Sequence, residues 1–175
     1  MKNKSALLII DVQVIMFTFD GGSLYNGGKV LQNIHELLTK ARYSKIPVFF
    51  VQHTETPNLI EGKEGWPIHP RIKPLENEMV IQKSTCDSFY KTDLHEKLQE
   101  QGIESLIIVG MQTDFCVDTT CRRAFSLGYN NKLIADGHST FDTKVLKAEQ
   151  IIEHHNSVLG GRFAHLKAAN EINFN

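Results

Sequence analysis

Leu106-Ile107-Ile108-Val109-Gly110-Met111-Gln112-Thr113-Asp114-Phe115-Cys116-Val117 is the stretch whose reading decides the fold. Its first four residues form an unbroken apolar run, the pattern of a strand covered on both faces. A short turn follows. Thr113 is then placed to cap a helix running to Leu127, with Gly128 as its stop. Strand, turn and helix in immediate succession are the repeating unit of a parallel α/β sheet.

The flanking sequence repeats the theme. Ala6-Leu7-Leu8-Ile9-Ile10 is a second unbroken apolar run. Lys29–Lys45 carries Val30, Ile34, Leu37, Leu38 and Ala41 at helical spacing, and Pro47 enforces an extended restart into Val48-Phe49-Phe50-Val51. Met79-Val80-Ile81-Gln82 predicts a strand, Asp93–Gln101 a helix ended by Gly102, and Lys132-Leu133-Ile134-Ala135 a further strand. Lys144–Leu159 predicts a helix and Arg162–Leu166 a last strand. Residues 54–78 hold four of the five prolines and read as a long surface excursion, a feature often tied to function. Strand and helix alternate throughout. The expectation is one domain over residues 1–175, with a mostly parallel sheet between two layers of helices.

Composition narrows the class. With 41% hydrophobic and 22% charged residues and a net charge of −1, the chain has the balance of a soluble globular protein. It carries no basic footprint for nucleic acid and no basic amphipathic helix for a membrane surface. No apolar run approaches the roughly 18 residues of a membrane span. Met1-Lys2-Asn3-Lys4 has a signal-like charge, but Ala6–Ile10 is too short for a signal core, so a cytoplasmic protein is expected. The three cysteines, Cys86, Cys116 and Cys121, form no CxxC pair, which argues for free thiols rather than a disulfide framework or zinc knuckle.

In open α/β sheets, ligands bind outside the carboxyl ends of the strands. Asp11 follows the first predicted strand, His53 the second, Lys83 the third, the Gly110–Cys116 turn the fourth and Asp136 the fifth. A carboxylate, an ammonium and a thiol are thereby expected on one edge. With Thr113 as cap, Cys116 falls among helix N–H groups without intrahelical partners, a setting that favours a thiolate and can hold an oxyanion. Cys121, deeper in the same helix, is expected to be a core residue. Phe17, Trp66, Phe89, Tyr90 and Phe115 are candidates for an apolar wall around a planar substrate.

These residues carry a family resemblance. The chain resembles the isochorismatase-like cysteine hydrolases, which include nicotinamidases and N-carbamoylsarcosine amidohydrolases. The matching stretches run nearly end to end: Leu7–Gln13, Gly21–Leu24, Trp66–Pro70, Gln82–Ser84, Phe89 with Thr92–Leu94, Gly110–Val117, Thr119–Arg122, Asp136–Thr140 and His155-Asn156. The resemblance implies a six-stranded, mainly parallel sheet and a catalytic triad of Asp11, Lys83 and Cys116. It implies a non-proline cis peptide before Gln112, with the N–H groups of Gln112 and Cys116 facing the oxyanion. It further implies a small amide or carbamoyl substrate, no organic cofactor, and a homodimer or homotetramer.

Two departures refine it. Metal-dependent nicotinamidases carry Asp-x-His at the end of the second strand and two further histidines. Here that stretch reads Val51-Gln52-His53, Leu59 stands where the next histidine is sought, and His53 and His69 alone remain. Two imidazoles are too few for a hydrolytic metal site, so no metal is expected, and the pair is left to bind substrate or each other. Isochorismatases proper lack the cysteine, so Cys116 points to amide chemistry. Three other readings stay open: a nicotinamidase proper, a non-catalytic binding protein on this scaffold, and a thiol redox sensor pairing Cys116 with Cys86.

Overall fold

The computed structural model describes residues 4–19, 21–57 and 59–174. The charged opening Met1-Lys2-Asn3 lies outside them. Six strands form one sheet: β1 (Ser5–Ile10), β2 (Val48–His53), β3 (Met79–Lys83), β4 (Ser105–Met111), β5 (Asn130–Ser139) and β6 (His165–Lys167). Their order is β3-β2-β1-β4-β5-β6 and every pairing is parallel. The helices are α1 (Ile15–Thr18), α2 (Gly27–Tyr43), α3 (Leu94–Glu100), α4 (Asp118–Ser126) and α5 (Ala148–Leu159). No described helix is long and apolar enough to cross a membrane.

The unbroken apolar strands are explained by two cores. Leu7, Ile9, Phe50, Ile107 and Val109 pack on one side with Val30, Leu31, Ile34, Leu37 and Leu38 of α2. Leu8, Ile10, Phe49, Leu106 and Ile108 pack on the other with Leu94 and Leu98 of α3 and Cys121 and Ala124 of α4. Successive side chains point to opposite faces, so a strand buried on both has no polar positions to alternate. Phe49 and Phe50 are both fully buried and each contributes about 1.5–3 kcal/mol of burial energy.

The strand order reverses between β1 and β4, which makes their carboxyl ends the place for a ligand. Gly110 permits their close approach. A Cβ there would lie 2.0 Å from the carbonyl oxygen of Ile10, and its φ of +134° suits glycine alone.

Several boundaries differ from those expected. Strand β5 continues past Ala135: a bulge shifts its register on β4 between Ile108 and Gly110, and it resumes with His138 beside Gly110. Helix α5 starts at Ala148 rather than Lys144, because the Thr143 hydroxyl accepts N–H bonds from Val145 and Leu146 and holds a turn there. The last strand is displaced to His165–Lys167, paired with Lys132–Ile134.

Candidate active site

Asp11 follows β1 directly, with a φ of +50°, a left-handed conformation that Asp tolerates better than most residues. His53 ends β2 and Lys83 ends β3. The peptide between Met111 and Gln112 is cis. Thr113–Val117 then form a π-helical turn leading into α4, with Cys116 inside it. Thr113 therefore does not cap the helix. Its hydroxyl is turned instead to His138 Nδ1 at 2.8 Å, and Gln112 occupies the cap position.

These turns bring Asp11, Lys83 and Cys116 together, with exposures of 1%, 4% and 8%. Lys83 Nζ lies 2.6 Å from Asp11 Oδ2, 2.9 Å from His53 Nδ1, 3.0 Å from the Thr85 carbonyl and 3.2 Å from Cys116 Sγ. An ammonium has three hydrogens for these four contacts. The sulfur contact is the longest and is the one that strengthens when the thiol ionises. As an acceptor, His53 Nδ1 leaves the ring proton on Nε2, which faces Glu55 Oε2 at 3.3 Å. Gln13 fixes the end of β2, taking the His53 N–H on its Oε1 and giving its Nε2 hydrogens to the carbonyls of His53 and Trp66.

Asp11 Oδ1 is buried and has no hydrogen-bond partner. Leaving such an acceptor unpaired costs about 1–3 kcal/mol, so a fold that keeps it invites a role for it. Burial raises the Asp11 carboxyl above the ordinary carboxylate range, against the downward pull of Lys83. For Lys83, burial alone would lower the pKa, but the Asp11 carboxylate and the Cys116 sulfur leave it raised. The Cys116 thiol is pushed far up, by burial first and by Asp11 second, with Lys83 opposing. This corrects the expectation of a helix-stabilised thiolate. Desolvation of the buried sulfur and the Asp11 carboxylate push the thiol upward, against the Lys83 ammonium.

Asp11, His53 and Cys116 also offer oxygen, nitrogen and sulfur donors within 4.8 Å of one another. That spacing would suit a metal ion, yet Lys83 Nζ contacts the same three side chains, so an ammonium already serves as their cation. His69 does not join His53. Its Nδ1 accepts the Arg71 N–H at 3.2 Å, and its ring meets Phe17 edge-on at 4.8 Å.

The isochorismatase domain model matches residues 5–154. The chain is 36% identical over 171 residues, 93% of its own length and 95% of the relative's, to the uncharacterized isochorismatase family protein YddQ of Bacillus subtilis. The chain belongs to the isochorismatase family. A solved structure of an isochorismatase family protein superposes with a TM-score of 0.89 at 37% identity, covering 96% of this chain and 99% of that one. A streptothricin hydrolase of Streptomyces noursei is 31% identical over 78% of this chain, which spans 50% of that enzyme.

Beside Asp11 and Cys116 of this isochorismatase-family hydrolase lies a cavity of about 240 Å³, lined by Asp11, His53, Cys86, Gln112, Phe115 and Cys116 among others. A larger hollow of about 530 Å³, near Arg42 and Gln101, sits at the opposite ends of the strands, where β2 begins, away from the converging groups. Of the aromatic residues expected to wall the site, Phe115 alone lines the cavity. Phe17 packs against the α2-side core and His69. Trp66 packs on that same core, and its Nε1 donates to Thr54 Oγ1 at 2.9 Å. Phe89 stacks on Tyr129 in the opposite core, and Tyr90 is exposed. Phe17, Trp66 and Phe89 each pack against a hydrophobic core rather than the ligand site.

Asp136 is also drawn away, binding the Asn33 side chain and the Ala169 N–H from within the β5 bulge. His138 takes its place near the Thr113–Val117 turn. It is buried between Thr113 Oγ1 and Asn156 Oδ1, at 2.8 and 3.0 Å, and burial lowers its pKa to about 4. The signal for His138 was its position past the fifth strand, obscured because the bulge hid how far that strand runs.

Proposed function

We propose that this isochorismatase-family hydrolase cleaves the C–N bond of a small amide or carbamoyl compound through a thioester on Cys116. The observation that carries the reading is the placement of the Asp11 carboxylate: Oδ2 holds the Lys83 ammonium, Oδ1 is buried, and a carboxylate oxygen lies within 4.8 Å of the Cys116 sulfur.

In this mechanism Asp11 Oδ1 takes the thiol proton as the sulfur attacks the substrate carbonyl, and Lys83 at 3.2 Å stabilises the sulfur anion. The backbone N–H groups of Gln112 and Cys116 receive the tetrahedral oxyanion. Asp11 returns its proton to the leaving nitrogen, and the C–N bond breaks to leave a thioester. Asp11 then accepts a proton from water, whose oxygen adds to the thioester carbonyl. Collapse releases the acid and restores the thiol. The high resting pKa of Cys116 fits this order, since the proton leaves only as the new bond forms. A preorganised ammonium and N–H pair replace the charge stabilisation a metal would bring, and no cofactor enters. Three free thiols support work in a reducing compartment such as the cytoplasm.

A screen of small amides and carbamoyl compounds for released ammonia or amine tests the reading. Turnover that vanishes in Cys116→Ala supports it, and full turnover in a folded Cys116→Ala protein removes it. One observation favours a redox reading as a second choice: Cys86 lines the same cavity as Cys116. That reading requires a Cys86–Cys116 disulfide after peroxide treatment, which peptide mapping detects.

A further inference from the structure

The cavity at Cys116 opens into a second of about 350 Å³, sharing with it Met16, Glu55, Leu59, Gln112 and Phe115. Three carboxylates line this outer cavity, those of Glu55, Asp114 and Asp142, and its lining includes no lysine or arginine. Asp142 is neutralised by Lys147 at 2.7 Å and by the Ala148 N–H. The other two are not. Asp114 Oδ1 accepts the Thr140 hydroxyl at 2.6 Å, and Glu55 faces the His53 ring; neither forms an ion pair with lysine or arginine among the described residues. Phe19, Phe115 and Phe141 line the same space, Phe19 and Phe141 meeting edge-to-face at 5.7 Å. Aromatic faces attract cations, and uncompensated carboxylates lining an open surface hollow raise the local cation concentration.

At the inner end the wall is mostly apolar, with Met16, Leu59 and Met111, and carries the unpartnered, buried Oδ1 of Asp11. The two ends therefore ask for different chemistry. Resting on the amidase reading above, we infer that the substrate is a cationic amide. Its carbonyl lies at Cys116, and an alkylammonium or guanidinium group on a short apolar spacer lies between Glu55, Asp114 and the phenylalanines. An anionic amide would meet like charge on the way in, and a neutral one would gain nothing from the outer cavity.

The first measurement reads the cavity without needing turnover. Cys116 is modified by trimethylammonioethyl methanethiosulfonate or by sulfonatoethyl methanethiosulfonate, with the labelled cysteine identified by peptide mass spectrometry. The cation-to-anion rate ratio, divided by that of a free thiol, is expected to reach about tenfold at low salt and to shrink as salt is added. It should fall toward one in Glu55→Gln/Asp114→Asn protein whose fold is verified by circular dichroism. Lys83 beside the sulfur biases the reaction the other way, so a cationic preference must come from the cavity. A ratio at or below that of the free thiol, or one unchanged in the double variant, overturns the inference.

The second measurement compares kcat/KM for aminohexanamide, hexanamide and adipic monoamide, expected to fall in that order, with the double variant losing the spread chiefly through KM. Amides hydrolysed with no charge preference overturn the cationic substrate and leave the amidase standing. Charge-selective modification with no amide hydrolysed removes the amidase and keeps a cation-selecting cavity.

Discussion

Lys83→Met isolates what the buried ion pair does. The side chains of Lys83 and Asp11 are 0% and 1% exposed, and the pair is closed at 2.6 Å. Methionine fills much the same space and leaves the Asp11 carboxylate without the ammonium that pairs it. Removing one member of a buried pair costs about 3–5 kcal/mol while the other stays charged. The chain can escape part of that cost by protonating Asp11, whose folded pKa is already raised and must rise further without Lys83.

The sign follows from proton linkage. A carboxyl whose folded pKa lies above its unfolded value loses stability as pH rises from the unfolded value through the folded one. Below the ordinary value of 3.8, Asp11 is protonated whether folded or not, and the variant forfeits only the contacts of the lysine. Above the wild-type folded pKa the deficit grows by up to about 1.4 kcal/mol per pH unit until the variant's own carboxyl ionises. Urea titrations of both proteins at pH 5 and pH 8 measure this. The deficit should be clearly larger at pH 8, and Asp11→Asn/Lys83→Met should recover much of it, because no charge is then stranded. An equal deficit at both pH values, with no recovery in the double variant, would refute the assignment of the cost to Asp11. With its general base neutral, the single variant should also lose ~10²-fold or more in turnover at pH 7.

Three further outcomes are expected. Iodoacetamide should alkylate Cys116 slowly at pH 7 and faster as pH rises beyond the usual thiol range, because burial and Asp11 hold its proton; Cys121, fully buried with a pKa pushed up to about 12, should react more slowly still, and a rate at Cys116 that levels off by pH 8 contradicts this. His138 titrates near 4 when folded against an ordinary 6.5, so its contribution to stability is complete above 6.5 and is lost as pH falls through 4, by about 3 kcal/mol in all; His138→Asn should flatten that part of the pH–stability profile, as denaturation midpoints at pH 7 and pH 5 will report. Turnover should survive dialysis against a chelator, since the donors of Asp11, His53 and Cys116 already share the Lys83 ammonium; activity lost to the chelator and restored by zinc would show that the ammonium can be displaced.

The sequence by itself determined the layers. Unbroken apolar runs such as Ala6–Ile10 and Leu106–Val109 can be buried only on both faces, and α2 announces its core-facing stripe through Val30, Ile34, Leu37 and Leu38. Strand ends then put Asp11, Lys83 and Cys116 on a common edge before any contact was known, because residues after parallel strands share an edge whatever the details. Tertiary structure decided what local pattern could not carry. Whether Thr113 caps a helix or binds His138 depends on the β5 bulge that brings His138 alongside, a register set by strand pairing at long range. Whether Phe17, Trp66 and Phe89 wall a ligand or fill the interior depends on which apolar neighbours they meet first. The protonation of Cys116 is likewise a collective quantity. Helix position alone argues for a thiolate, and only burial beside the Asp11 carboxylate reverses the sign, a balance of desolvation and charge that exists only once the chain has closed around it.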